Sequence, residues 1–337
     1  MRALVLTGPE AAAVHDVEPP TPSVGQVIVD VHRVGLCGTD IAFFRGTMPY
    51  LADGRARYPL RIGHEWAGTV AALGPQVPPA WLGARVTGDT MLGCGSCERC
   101  ARGLQHACAR RFEVGVLGGW DGAVAEQVAV PVTSLFLLPD AVTDTAGAMV
   151  EPGANAARAI LAGRVTAESR VAVIGAGTIG LLAAAFALAA GAEVHVIGRG
   201  AAGLANARAL GPAGVWRPEN APRLDYQLVV EASGGLGMPQ LAVDLVEPGG
   251  VIVCIGIAAA ATEVDTRVLV SSDVTVTGHL SGSPAMAATI ESYASGSVDP
   301  EPLVAATVSM DRAAAVLAGW RPGDAGPGPK LHVDPRR

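Results

Sequence analysis

The chain has 337 residues, half of them apolar and only 16% charged. That is more than one hydrophobic core usually supports and too apolar for a disordered polymer, so two domains are expected. Against 31 acidic side chains stand 24 basic ones, a net charge of −7 that speaks against nucleic acid and anionic membranes as partners.

The opening MRALVLTGPE runs into acidic, Pro-rich sequence. It lacks the basic segment and apolar core of a signal peptide, and a cytoplasmic protein is expected. Short β-rich runs at 3–6 and 27–34, divided by Pro and Gly, continue in kind to about Pro139. This texture predicts a mostly β domain.

Within that stretch, Cys94-x2-Cys97-x2-Cys100-x7-Cys108 puts four thiols in one loop, about residues 93–109. Clustered cysteines without an export signal point to metal rather than disulfides. Four thiolates leave no open position and make a closed, structural zinc site. His106 lies inside the loop and reads as an ordinary polar residue.

From about Asp140, Ala-rich helical stretches alternate with apolar strands at 171–174, 194–197, 228–230, 251–255 and 274–277. That alternation predicts a parallel sheet covered by helices. Residues 171–192 carry no charge and are long enough to cross a bilayer. Gly175, Gly177 and Gly180 near the start instead mark a strand, a turn and a buried helix at 181–190. After about Ser283, a strand-like run at 303–308 lies between two helical stretches, and 321–329 reads as a surface loop.

The turn is Gly175-Ala176-Gly177-Thr178-Ile179-Gly180, set between a strand and a helix. In that setting it is a dinucleotide fingerprint, with the pyrophosphate at the helix N-terminus. Gly175 permits the tight turn, Gly177 the approach of the pyrophosphate, and Gly180 close helix–strand packing. The next strand ends at Gly198-Arg199, where NAD enzymes present a carboxylate to the ribose. A small residue followed by Arg suits the 2′-phosphate of NADP, so NADP is expected to be preferred and NAD possible. His195 and Cys254 sit in apolar strands and read as structural. His279 reads as a bystander near the expected nicotinamide position.

Two further motifs, Gly35-Leu36-Cys37-Gly38-Thr39-Asp40 and Gly63-His64-Glu65-Trp66, complete a pattern with Asp121-Gly122-Ala123, Glu151-Pro152 and Leu210-Gly211. In this order, over nearly the whole chain, they resemble the zinc-containing medium-chain dehydrogenase/reductase family. Gly63–Trp66 and Glu151-Pro152 are most similar to its sorbitol, threonine and deoxy-scyllo-inosamine dehydrogenases. The resemblance implies an α/β protein of two domains. One is a GroES-like β-rich catalytic domain from residues 1–150 and 284–337. The other is a Rossmann domain at 151–283, with the active cleft at their junction.

It also implies two zincs per chain, one structural and one catalytic, the latter with Cys37, His64, Glu65 and Glu151 around it. Which of the two glutamates ligates it at rest stays open. Thr39 matches the position whose hydroxyl passes on the alcohol proton, and Asp40 the one that orients the zinc-bound His. One departure is visible: the relay His of many members is replaced by Ala42.

The expected activity is hydride transfer between NADP (or NAD) and a secondary alcohol or ketone, with a polyol, sugar, cyclitol or aminocyclitol as substrate. A small molecule is the expected partner, and a homo-oligomer, dimer or tetramer, the expected state. Two rival readings remain: an NADPH-dependent reductase of an activated double bond, and a non-catalytic zinc- and nucleotide-binding sensor. The first does not need the metal residues that Cys37, His64 and Glu65 supply.

Overall fold

A computed structural model describes residues 1–337. The chain divides into two compact units, residues 1–151 with 304–337, and residues 152–303.

The first unit is built on a seven-stranded mixed sheet in the order Val304–Ser309, Lys330–Asp334, Gln26–Leu36, Glu65–Leu73, Arg85–Gly88, Leu135–Leu137. Gln127–Pro131 pairs with the early half of Gln26–Leu36. The strands alternate or run apolar because one face packs on the core, where Leu4, Val29, Ile62, Trp66 and Val333 are buried. The C-terminal strand Lys330–Asp334 inserts between Val304–Ser309 and Gln26–Leu36, so the far end of the chain sits beside Cys37.

The second unit is a six-stranded parallel sheet in the order Gly214–Trp216, Glu193–Ile197, Arg170–Ile174, Tyr226–Glu231, Val246–Cys254, Thr275–Gly278. This is the doubly wound arrangement. The central strands are almost wholly buried, which is why they read as unbroken apolar runs. The charge-free stretch is the strand Arg170–Ile174, a turn and the 12-residue helix Thr178–Ala189, and no helix is long and apolar enough to cross a membrane.

The structure moves one expected boundary. Residues 284–303, expected with the first unit, cluster with the second. The helix Met286–Ala294 buries Met286, Ile290 and Tyr293 there. Tyr293 stacks on Phe186 at 6.1 Å and packs over Gly153, where a Cβ would lie 2.0 Å from its hydroxyl.

Candidate metal centres and nucleotide turn

Two strands of the first unit end side by side. Gly35 on Gln26–Leu36 pairs with Glu65 on Glu65–Leu73, so Cys37 and His64, one just past an end and one just before a start, meet. Their Sγ and Nε2 are 3.2 Å apart. A shared zinc would set a separation of about 3.6 Å from typical bond lengths.

Cys37 caps the helix Gly38–Phe44, and its sulfur accepts the Thr39 N–H at 3.3 Å. Asp40, fully buried, does not reach the His64 ring in hydrogen-bond range: its Oδ1 is 3.7 Å from Nδ1. It accepts instead from the backbone of Cys37 at 2.9 Å and Gly63 at 3.2 Å, and so ties the two metal-facing turns together. Gly63 has φ +100°, and a Cβ there would meet Val124 at 2.7 Å, so the turn before His64 needs glycine. Thr90 donates to the His64 carbonyl at 3.2 Å.

The donor atoms of Cys37, His64 and Glu65 all lie within 4.8 Å of one another. Burial opposes charge on His64, but Cys37, Asp40 and Glu151 outweigh it and raise its pKa well above the usual value. Glu151 belongs to the same electrostatic cluster. Burial pushes its pKa up to about 7, with Glu65 and Asp89 adding and His64 and Lys330 opposing. A thiolate, an imidazole and carboxylates converging in a buried place suit zinc. Thr39, its N–H on the Cys37 sulfur, is half-buried, and Ala42, also half-buried, offers no base.

One neighbour of the site escaped sequence reasoning. Lys330 is 3% exposed, and its ammonium donates to Glu65 Oε2 at 2.6 Å, Oε1 at 2.8 Å and the Leu36 carbonyl at 3.2 Å. Gly35 leaves the space that Glu65 fills, since a Cβ there would lie 2.2 Å from Oε2. One signal for Lys330 stood in the sequence: it is the only lysine in the chain, beside 23 arginines.

The second cluster is the expected loop. Sulfur separations are 3.6 Å for Cys97–Cys100, 3.8 Å for Cys97–Cys108 and 4.0 Å for Cys94–Cys100. Zn–S bonds of about 2.3 Å at tetrahedral angles give about 3.8 Å. Backbone and hydroxyl hydrogen bonds from Ser96 pull the Cys94 thiol down to about 5, and the Arg110 guanidinium donates to its sulfur at 3.2 Å. His106 is buried rather than solvated and stands outside the thiol cluster.

In the second unit the turn Gly175–Gly180 has the geometry its glycines suggest. Gly175 has φ +117°, and a Cβ would press on Ala232 and Ser233 at 2.9 Å. Gly177, at the N-cap of Thr178–Ala189, faces open space, which leaves its backbone approachable. Gly180 packs so tightly that a Cβ would sit 1.8 Å from the Gly175 carbonyl. Ala176, Thr178 and Ile179 complete the turn and first helical positions. Gly198 is buried and donates to Trp216 at 2.9 Å, and Arg199 follows it, exposed.

His195 is structural, as expected: Nε2 pairs with Glu193 and Nδ1 with the Trp216 indole, both at 3.0 Å. Cys254 is half-buried at its strand end, and His279 follows the last strand, its N–H on the Cys254 carbonyl.

Residues 23–140 match the alcohol dehydrogenase GroES-like domain, and residues 178–295 the zinc-binding dehydrogenase domain. The first curated relatives are matched over about half of their length. L-threonine 3-dehydrogenase of Streptomyces coelicolor is 34% identical over 290 residues, 82% of this chain and 83% of that one. Among solved structures, the RspB alcohol dehydrogenase of Escherichia coli CFT073, complexed with NADH, superposes with TM-score 0.90 at 26% identity, over 99% of both chains. A zinc-binding dehydrogenase of Sinorhizobium meliloti 1021, bound to NADP, gives 0.88 at 26% identity over the same share of both chains. With both halves of the fold matched and a relative aligned over most of its length, the chain belongs to the zinc-containing medium-chain dehydrogenase/reductase family.

Proposed function

We propose that the protein is a zinc-dependent dehydrogenase that moves hydride between NADP, or NAD, and a secondary alcohol or ketone. The observation that carries this reading is the buried convergence of Cys37, His64 and Glu65 in a unit that also holds a separate four-thiol loop. Cys37 and His64, with Glu65 or Glu151, would hold the catalytic zinc. When bound, that ion is a Lewis acid for the substrate oxygen. Cys94, Cys97, Cys100 and Cys108 would hold the second, structural zinc.

The chain's own residues then have definite tasks. Asp40 fixes the turns that aim Cys37 and His64 at one point. Thr39 Oγ1 takes the alcohol proton and hands it to solvent, since Ala42 offers no onward base. The backbone of Gly175–Gly180 seats the pyrophosphate. Arg199 favours NADP, for Gly198 presents no carboxylate to repel a 2′-phosphate.

The substrate class is a polyol, sugar, cyclitol or aminocyclitol. The relative's name agrees with a secondary alcohol, the 3-hydroxyl of threonine. The cysteines suit a reducing cytoplasm. A homo-oligomer, dimer or tetramer, goes with this reading because Thr275–Gly278 is a free sheet edge, with Val276 47% exposed on it and Val270 84% exposed before it.

The deciding experiment supplies a panel of polyols, sugars, aminocyclitols and threonine with NADP and NAD, followed at 340 nm, for wild type and Cys37→Ser. Wild-type turnover of a secondary alcohol that Cys37→Ser loses while staying folded is expected. Equal turnover by both proteins would overturn the assignment of the catalytic metal.

A further inference from the structure

Asp121-Gly122-Ala123 takes no part in either metal place. Its glycine has a local reason, for a Cβ on Gly122 would lie 2.2 Å from the Ile62 carbonyl. Its aspartate has none of that kind. Asp121 is exposed and holds Arg61 by both oxygens, with Nε on Oδ1 at 2.7 Å and Nη2 on Oδ2. A pair open to solvent adds little to stability. The pair stands instead on the wall of a cavity of about 260 Å³ in the first unit, which none of Cys37, Thr39, His64 and Glu65 lines. The cavity reaches Gln26, at the opposite end of Gln26–Leu36 from Cys37 and on the order of 30 Å away along the strand.

Phe112 and Trp120 form its apolar side. Their centroids are 5.7 Å apart and their planes meet at 57°, so they make a corner rather than a flat slot. Trp120 is fixed there by its indole N–H, which donates to the Ala129 carbonyl at 2.9 Å. The remaining wall is polar. Gln26 Oε1 accepts the Ser23 N–H at 3.0 Å, which leaves its amide N–H groups, and Gln127 Nε2 donates to Asp30 at 2.8 Å, which leaves its carbonyl oxygen. A carboxylate has about four acceptor positions, and Arg61 takes only two of those on Asp121.

We propose that this cavity is a binding site for a neutral, polyhydroxylated six-membered ring, a hexopyranose or cyclitol, separate from the catalytic place. Arg61 and Asp121 cancel each other, so an ion of either sign finds no uncompensated partner. A flat aromatic ligand finds no flat slot. A puckered saturated ring fits the corner, because its C–H groups carry the partial positive charge that aromatic faces attract. Its hydroxyls both donate and accept, and the glutamines, Arg61 and Asp121 answer both needs. The volume, just under the roughly 300–1,000 Å³ of sites for drug-sized ligands, holds one such ring. The proposal does not rest on the dehydrogenase reading, since no residue of the metal places or of the nucleotide turn takes part.

The probe is methyl β-D-galactopyranoside, followed by saturation-transfer NMR on the zinc-loaded protein with the aromatic protons irradiated. A dissociation constant on the order of 1 mM is expected for so small a ligand. Saturation should enter through H3, H4 and H5, which share the apolar face of the ring. Phe112→Ala should weaken binding about three- to tenfold, and Asp121→Ala about tenfold or more. Phe112→Leu, which keeps apolar bulk and removes the ring, takes over the first comparison if the alanine variant unfolds. Cys37→Ser should bind the probe like wild type, because the catalytic place is not involved. No binding at about 20 mM probe overturns the proposal. So does an affinity untouched by the Phe112 and Asp121 substitutions, or one that Cys37→Ser abolishes, for then the ring sits elsewhere. Phenol is the planar control, and tighter binding of phenol than of the galactoside, sensitive to Phe112→Ala, would overturn the assignment of a saturated ring.

Discussion

The strand Lys330–Asp334 carries His332 into the core with no exposure, and neither ring nitrogen meets a hydrogen-bond partner. Burial pushes its pKa down to about 3, and Lys330 and Arg33 add to the effect. In the unfolded chain the same ring titrates near 6.5, about the ordinary value. Between those two values the unfolded state binds a proton that the folded state refuses. Stability is therefore fully present above about pH 6.5 and drains away as pH falls toward about 3. From pH 7 to pH 5 the loss through this one group is about 2 kcal/mol. His332→Leu removes the titrating ring and leaves no unpaired polar atom, a change that is often neutral or stabilising. The variant should match or exceed wild type at pH 8, and its advantage should grow by about 2 kcal/mol at pH 5. Urea unfolding of both proteins at each pH, with zinc in excess, isolates the effect because other acid-sensitive groups cancel in the difference. An advantage that stays constant from pH 8 to pH 5 would refute the reasoning.

Cys100→Ser should lower bound zinc from two to one per chain and depress the thermal midpoint, because a closed thiolate site contributes folding energy; two zincs retained in a spectrometric metal count would contradict it. Arg199→Ala should weaken NADP use by on the order of ten- to hundredfold in kcat/KM, from about 1.5–3 kcal/mol of charge-assisted bonding, and leave NAD use nearly unchanged. Equal losses with both cofactors count against that role. Thr39→Val should lower kcat by about 10²–10⁴-fold with cofactor affinity kept, and near-normal kcat would rule the hydroxyl out as the proton's route.

Much of the fold was legible because its signals are local. The run 171–174, three glycines and an apolar helix announce a strand–turn–helix within twenty residues, and the Cys94–Cys108 spacing announces a metal loop within fifteen. The boundary at 284 was misread because the helix Met286–Ala294 looks like any amphipathic helix. Its membership of the second unit is decided by Tyr293 meeting Gly153 and Phe186, contacts more than a hundred residues apart in sequence. Asp40 was read as a partner of the His64 ring, yet it holds backbone instead, a distinction of about an ångström that no spacing encodes.

The same logic explains why Lys330 was hidden. Cys37 and His64 could be named because their motifs are short, but Lys330 reaches Glu65 across 265 positions through the pairing of Leu331 with Leu36. Gly35 makes the point most sharply. Inside a strand, glycine costs roughly 0.5–1 kcal/mol relative to alanine, and read locally it is only a weak spot. In the folded sheet it lies between Glu65 on one neighbouring strand and His332 on the other, and its missing Cβ is the room in which the carboxylate rests. A residue chosen for what it lacks leaves no pattern in its own neighbourhood; its reason is the side chain that the pairing of strands places over it.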